Sequence, residues 1–422
     1  MIRIGLLLFV VFAAFDSFYL LPWARIPGVF NFSDLGLLGI LGALLVQLGL
    51  TSSDRVREMF RQPEVWLALV YLVIVLMQVS LAGLNYRQSV VNGVVAARHQ
   101  FYYLSLPLVY LCIRSLGEFR LFLKLLSLVA CAVFALALVN YFVAPIFTHR
   151  YAEGHHTRMG VVRGFIPGMA LIGFAAVWEA AQWVGGYQRG WAVSARGLWL
   201  FAAHFFRQTR SRLVAITLVW VALLLVHRRF GLLVLLAGVF SVAALVAEMT
   251  LEENLMVGLF TSTAEDIGEV EGTWNARLQQ LEVVWHEFQD HPILGSGATI
   301  LRITEGTEGT ANRAANALAH KADLGYPSML KAYGLVGLLW LVGFLSVMGV
   351  RAYRAWQSGN ALERCLALFC LAYLLFVGIS GLTINHFMFS EGILMLCIVG
   401  ALVASLRQTQ SRRLPNEAGH AS

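Results

Sequence analysis

The chain has 422 residues, of which 59% are hydrophobic and only 13% charged, with a net charge of +7. An ordinary soluble domain carries about a quarter charged residues, so bulk composition excludes a soluble enzyme. Cys112, Cys131, Cys365, Cys370 and Cys397 all fall inside apolar runs without CxxC spacing, so neither a disulfide framework nor a zinc site is indicated.

About 20 helical residues cross a hydrocarbon core. Apolar runs of that order predict twelve spans, over 3–22, 33–50, 64–83, 97–114, 120–144, 161–183, 192–206, 211–226, 230–248, 328–350, 362–381 and 384–405. In lipid each span must satisfy its own backbone hydrogen bonds, and Leu, Val and Ala with little alternation favour helices over a closed barrel. The expected fold class is therefore all-α, a polytopic integral membrane helical bundle of about twelve transmembrane helices. No small-residue cleavage site follows the first run, so it reads as a retained helix.

A cytoplasmic N-terminus places Arg55, Arg57 and Arg61; Arg114, Arg120 and Lys124; Arg189; Arg228 and Arg229; Arg351, Arg354 and Arg364; and Arg407, Arg412 and Arg413 inside, as the positive-inside rule requires. The same threading divides the chain into helices one to nine over 1–248, one large periplasmic loop over 249–327, helices ten to twelve over 328–405 and a cytoplasmic tail over 406–422. The loop holds about half of the acidic residues. Within it, residues 275–290 read as one amphipathic helix, with Leu278, Leu281, Trp285 and Phe288 at three- and four-residue spacing and Glu282 and Glu287 on the polar face. His291-Pro292 ends that helix, Pro292 to Gly297 is turn-rich, and residues 298–319 show no periodicity.

Several basic residues break the charge rule by lying on the outer side: Arg98, Arg158, Arg163, Arg207, Arg210, Arg212, Arg277 and Lys321. Such charges oppose insertion. They serve either as headgroup anchors or as an anion site. Arg207 to Arg212, Arg277 and the segment His320 to Asp323 converge on that side. Guanidinium groups meet phosphate oxygens in a planar fork, and the chain carries 28 Arg against 3 Lys. His320 and Asp323 stand three residues apart, on one helical face. A carboxylate beside an imidazole fixes its tautomer and raises its basicity, which suits a general base. The competing reading makes Asp323 a helix N-cap and His320 an interfacial polar residue. His149, His155 and His156 lack metal-ligand spacing.

Thr209-Arg-Ser-Arg212 opening a short apolar span, Arg277 followed by Trp285, Phe288 and Pro292-Ile-Leu-Gly-Ser-Gly297, then His320 ahead of Lys331-Ala-Tyr-Gly-Leu-Val-Gly337, resembles the bacterial O-antigen ligase and O-antigen polymerase superfamily. The likeness extends to the twelve-helix layout and the large late loop. It implies a metal-independent, inverting glycosyltransferase without cofactor, taking its glycan from an undecaprenyl-pyrophosphate donor at the periplasmic face of the bacterial inner membrane. By the same resemblance Arg212 and Arg277, with Arg210, hold the pyrophosphate and His320 serves the acceptor hydroxyl. Arg163, in Val-Val-Arg-Gly-Phe-Ile-Pro167, resembles a functional arginine of the polymerases; a headgroup anchor is the alternative. His320-Lys321 replaces the His-Asn of many members and leans the reading towards a polymerase of surface polysaccharide, with ligation to lipid A-core or to protein as the other acceptor choices. The implied partners are the lipid-linked oligosaccharide, a glycan or lipid A-core acceptor, membrane lipids, and flippase and chain-length regulator proteins, with no nucleic acid. A flippase would need ionisable residues deep within spans, and the mid-span positions read as nearly free of them, with Arg196 and His204 near helix ends.

Overall fold

The computed structural model describes residues 2–15, 32–143, 157–158, 161–162, 166–188, 190–207, 210–232, 234, 273–297 and 324–418. These form α1 (Ile2–Ala14), α2 (Phe32–Leu50), α3 (Ser53–Phe60), α4 (Pro63–Tyr86), α5 (Val90–Ala97), a 3-10 segment (Arg98–Leu104), α6 (Ser105–Cys112) and α7 (Leu116–Phe142). After them come α8 (Met169–Val184), α9 (Trp191–Arg207), α10 (Arg210–Val226), α11 (Thr273–Asp290), α12 (Gly325–Ser358), α13 (Ala361–Ser380) and α14 (Ser390–Ala418). A two-residue antiparallel ladder, Thr157–Arg158 with Val161–Val162, is the exception to helix among the described residues.

Local chemistry sets the helix ends. Pro63 opens α4 at a position whose N–H has no intrahelical partner in any case. Ser115 caps α7 by accepting from the Glu118 amide, and Asn360 with Glu363 forms a capping box at the start of α13. Among the described residues, six helices are long and apolar enough to cross a membrane: Ser33–Leu50, Pro63–Asn85, Leu116–Phe142, Gly325–Ser358, Ala361–Ser380 and Ser390–Thr409. Three shorter apolar helices, Ile2–Ala14, Met169–Val184 and Ser211–Val226, accompany them. The protein is a helical membrane protein.

The centre is built from α8, α13 and α14, whose side chains are buried almost all round, as expected of helices apolar on every face. Peripheral helices leave Leu45, Val73, Leu84, Leu218 and Leu339 exposed, the surface that lipid covers. Among the described residues, two ion pairs with a fully buried carboxylate link neighbouring helices. Arg351 of α12 reaches both carboxylate oxygens of Glu64 at the start of α4, at 2.6 and 2.8 Å. Arg196 of α9 binds both oxygens of Glu179 in α8, at 3.0 and 3.1 Å, and Ser127 of α7 donates to the same carboxylate at 2.5 Å. These four ionisable groups lie towards the ends of the expected spans, with Glu64 in the first turn of α4 and Arg351 just past the expected span 328–350. They are paired and hydrogen-bonded, so they hold helices together rather than line a path.

Three expected spans change. The fourth is α5, the 3-10 segment and α6 in succession rather than one helix over 97–114. The sixth starts at Met169, because Val161 and Val162 are in the ladder and Gly168 adopts a left-handed φ of 68°. The last starts at Ser390, with residues 381–389 forming a turn that folds back onto the bundle. Of the expected ninth span, residues 235–248 lie outside the described residues, as do 249–272 and 298–323 of the expected loop.

Candidate functional site

At one end of the bundle, hereafter the Arg212 end, α9 and α10 meet the turn between α13 and α14. His204, in the last turn of α9, is buried, and its Nδ1 donates to the Leu200 carbonyl at 3.0 Å. Only a protonated nitrogen can serve a carbonyl, so Nε2 carries the lone pair. That Nε2 has no hydrogen-bond partner among the described residues and lies close to Gly173 of α8, where a Cβ would be in ordinary contact at 3.6 Å.

His386 lies in the 381–389 turn and is also buried. Its Nε2 is 2.7 Å from Ser380 Oγ, and that hydroxyl donates to the Phe376 carbonyl at 2.7 Å. A serine hydroxyl has one proton. With that proton committed to Phe376, Oγ accepts from His386, which fixes the Nε2–H tautomer. The two imidazoles thus carry their protons on opposite nitrogens. Phe376 lies between them, against His386 at a ring separation of 6.0 Å and against the Gly173 backbone beside His204. Arg212, the third residue of α10, is half-buried and acts electrostatically on His204, Tyr373 and His386. A half-buried guanidinium among hydrogen-bonding side chains is suited to an anion.

The second component is a broken helix. Within α12, Gly334 departs from helical geometry (φ 59°, ψ −157°), which frees main-chain groups on both sides of the break. The Pro292–Gly297 turn fills the gap. Ser296 N and Gly297 N donate to the carbonyls of Lys331 and Ala332, while Leu335 N and Val336 N donate to those of Pro292 and Ile293. Gln78 of α4 donates to the Leu294 carbonyl from the other side. Non-helical backbone at membrane depth is tolerated where protein satisfies it, and here the two glycine motifs of the sequence satisfy each other.

The helix preceding this turn, α11, is fixed by an ion pair. Glu287 accepts from Lys331 Nζ at 3.1 Å, with the lysine side chain 7% and the glutamate 25% exposed. Glu287, read from the sequence as part of the polar face, is thus partly buried in an ion pair. The simple picture of the apolar stripe is corrected: Leu278, Leu281 and Trp285 are 45%, 41% and 53% exposed, and Val284, at 3%, makes the buried contact. The start of α12 is pinned as well. Tyr326 N donates to Gly381 O and Tyr326 OH to Gly378 O, each at 2.9 Å, and its ring stacks on Phe387.

Of the residues singled out in the sequence, Arg212 is in the cluster just described, Arg210 opens α10, and Arg277 takes the fifth position of α11. His320, Asp323 and Arg163 lie outside the described residues. Sequence reasoning missed His386, Ser380 and Tyr373 and gave His204 no role. The available signal was Asn385-His386, a polar interruption between apolar runs, which had been absorbed into the expected span 384–405. Among the described residues no group of three His, Cys, Asp or Glu side chains converges as a metal site would require.

A bundle of apolar helices with buried ion pairs in its interior and an arginine site at one end defines a multi-pass membrane protein. Residues 197–339 are similar to the family model described as O-antigen ligase. The match runs from α9 into α12 and contains Arg212, Arg277, His320 and both interlocking glycine motifs. No curated protein matches the chain.

Proposed function

We propose that the protein is a glycosyltransferase that polymerises undecaprenyl-pyrophosphate-linked repeat units into surface polysaccharide at the periplasmic face of the bacterial inner membrane. In this reading the chain spans twelve times with both termini in the cytoplasm, the Arg212 end is periplasmic, and residues 249–327 are outside. The observation that carries it is Arg212, whose charge acts on His204, Tyr373 and His386 at one helix-bundle end, within the stretch that matches the O-antigen ligase family.

Arg212 and Arg277, with Arg210 and Arg163 as further ligands, hold the donor pyrophosphate and stabilise the charge that develops on its leaving oxygen, without a metal. His320, oriented by Asp323, takes the proton of the acceptor hydroxyl as its oxygen attacks the anomeric carbon. The carbon–oxygen bond to pyrophosphate breaks, the lipid diphosphate leaves with the electron pair, and the anomeric configuration inverts.

The printed description of the matching family favours a second reading, ligase, with lipid A-core as acceptor. Deletion separates the two: single repeat units on the surface mean polymerase, and full-length chains stranded on the lipid carrier mean ligase. In purified form, His320→Ala should lower transfer by about a hundredfold or more while leaving donor binding intact, and the wild-type rate should fall as the imidazole protonates. Wild-type transfer by His320→Ala would overturn the assignment.

A further inference from the structure

At the end of the bundle opposite Arg212, a cavity of about 640 Å³ opens where α8, α10 and α12 finish and α13 begins. Its size falls within the ordinary range of ligand sites, roughly 300–1,000 Å³. Tyr187, His227, Trp356, Gln357, Arg364 and Leu368 line it, and among the described residues no carboxylate does. Nothing in the glycan-transfer reading uses it.

We propose that this cavity binds the phosphoglycerol headgroup of an anionic phospholipid from the leaflet at that end. Three donors of different kinds face one space. Arg364 supplies permanent charge. Its neighbour Glu363 does not line the cavity; its Oε2 is hydrogen-bonded to Asn360 N, within the capping box at the start of α13, at 3.0 Å. Arg120 of α7 donates to Tyr187 Oη at 3.3 Å and lies over its ring at 5.0 Å, so the phenolic oxygen is used as an acceptor and its proton is left to donate. His227 has a buried Nε2 without a hydrogen-bond partner among the described residues. Burial first, and the Arg229 charge second, hold that imidazole below its usual range, so at neutral pH it acts as a hydrogen-bonding group beside the Arg364 charge.

The rest of the lining selects a lipid over a free anion. Leu368, Cys365 and Ala361 form an apolar wall that inorganic phosphate would leave uncovered and that a glycerol backbone and first methylenes would fill. Basic pockets between transmembrane helices are a recurring site for anionic headgroups.

The test uses the purified full-length protein in non-ionic detergent, with native mass spectrometry for adducts and thermal unfolding for stabilisation. Phosphatidylglycerol should give retained adducts and raise the unfolding temperature; phosphatidylcholine and inorganic phosphate should do neither. Arg364→Gln should weaken phosphatidylglycerol binding about tenfold, the loss expected for one charge-assisted contact, and Tyr187→Phe should weaken it less. Arg354→Gln, exposed at the same end but outside the cavity, should leave it unchanged. Equal binding of phosphatidylcholine, or an equal loss in Arg354→Gln, would overturn the site in favour of a diffuse basic surface. Stabilisation by inorganic phosphate alone would overturn it in favour of a soluble anion.

Discussion

Gly295 and Gly334 meet main chain to main chain: a Cβ on Gly334 would lie 2.5 Å from Ile293 O and 2.6 Å from Gly295 N, and one on Gly295 would lie 2.6 Å from Gly334 N. Both also have left-handed φ, 74° and 59°. Neither has room or conformation for a side chain. Gly334→Ala and Gly295→Ala should each destabilise by about 3 kcal/mol or more and abolish transfer, since the turn can no longer close the helix break. Gly343→Ala, with nothing within 4 Å of its Cβ, is the control and should behave as wild type. Thermal unfolding of the three variants in detergent decides it.

The Glu287–Lys331 pair should respond asymmetrically. Glu287→Ala strands a lysine that is 7% exposed, whereas Lys331→Met leaves a carboxylate that is 25% exposed and can take up water. The first should cost more, about 2 kcal/mol against about 1. The double variant Glu287→Ala with Lys331→Met should be no worse than Glu287→Ala alone. A double-mutant cycle on unfolding temperature measures this coupling.

For Arg212, substitution by Lys should damage transfer nearly as much as substitution by Ala, because an ammonium cannot replace the planar fork. Each loss is expected to be on the order of a hundredfold or more, with EDTA leaving wild-type transfer intact. Arg277 should behave alike. A gel of product lengths from a synthetic lipid-linked repeat unit reads all of these.

His386 and Ser380 should act through the tautomer their contact imposes. His386→Gln can still present a donor to Ser380 and should retain more transfer than His386→Ala, which is expected to lose about tenfold at unchanged expression. Ser380→Ala leaves the imidazole without its acceptor and should fall between them. Donor affinity, measured separately from turnover, shows whether the loss arises at the arginine site.

Much of the architecture is legible in the sequence where a helix is long and apolar without a break. α2 (Phe32–Leu50), α4 (Pro63–Tyr86) and α10 (Arg210–Val226) start and stop within a few residues of the expected spans. Hydropathy sums side chains and is blind to backbone path, so the 3-10 segment Arg98–Leu104 inside the fourth apolar run was invisible. Its polar groups are answered from far along the chain: Tyr102 OH by Ser33 O at 2.6 Å, Arg98 by Asp34 at 3.4 Å. Arg212 could be picked out because a charge at that end is anomalous. His386 could not, because what gives it a role is Ser380 and Arg212, one of them 174 residues away in a different helix. The glycine motifs were recognisable as motifs, yet their mutual closure is a three-dimensional fact.

The Glu64–Arg351 pair has a consequence for biogenesis. The partners are 287 residues apart, so Glu64 leaves the ribosome long before its counter-charge exists. At about 5–20 residues per second the interval is roughly 15 to 60 s. During that time α4 must keep its first turn hydrated or its carboxyl protonated, and only the arrival of α12 lets that carboxylate be buried. The amino-terminal helices therefore reach final packing as a late event of translation, and a ribosome stalled before Arg351 should hold them in a looser, protease-sensitive arrangement.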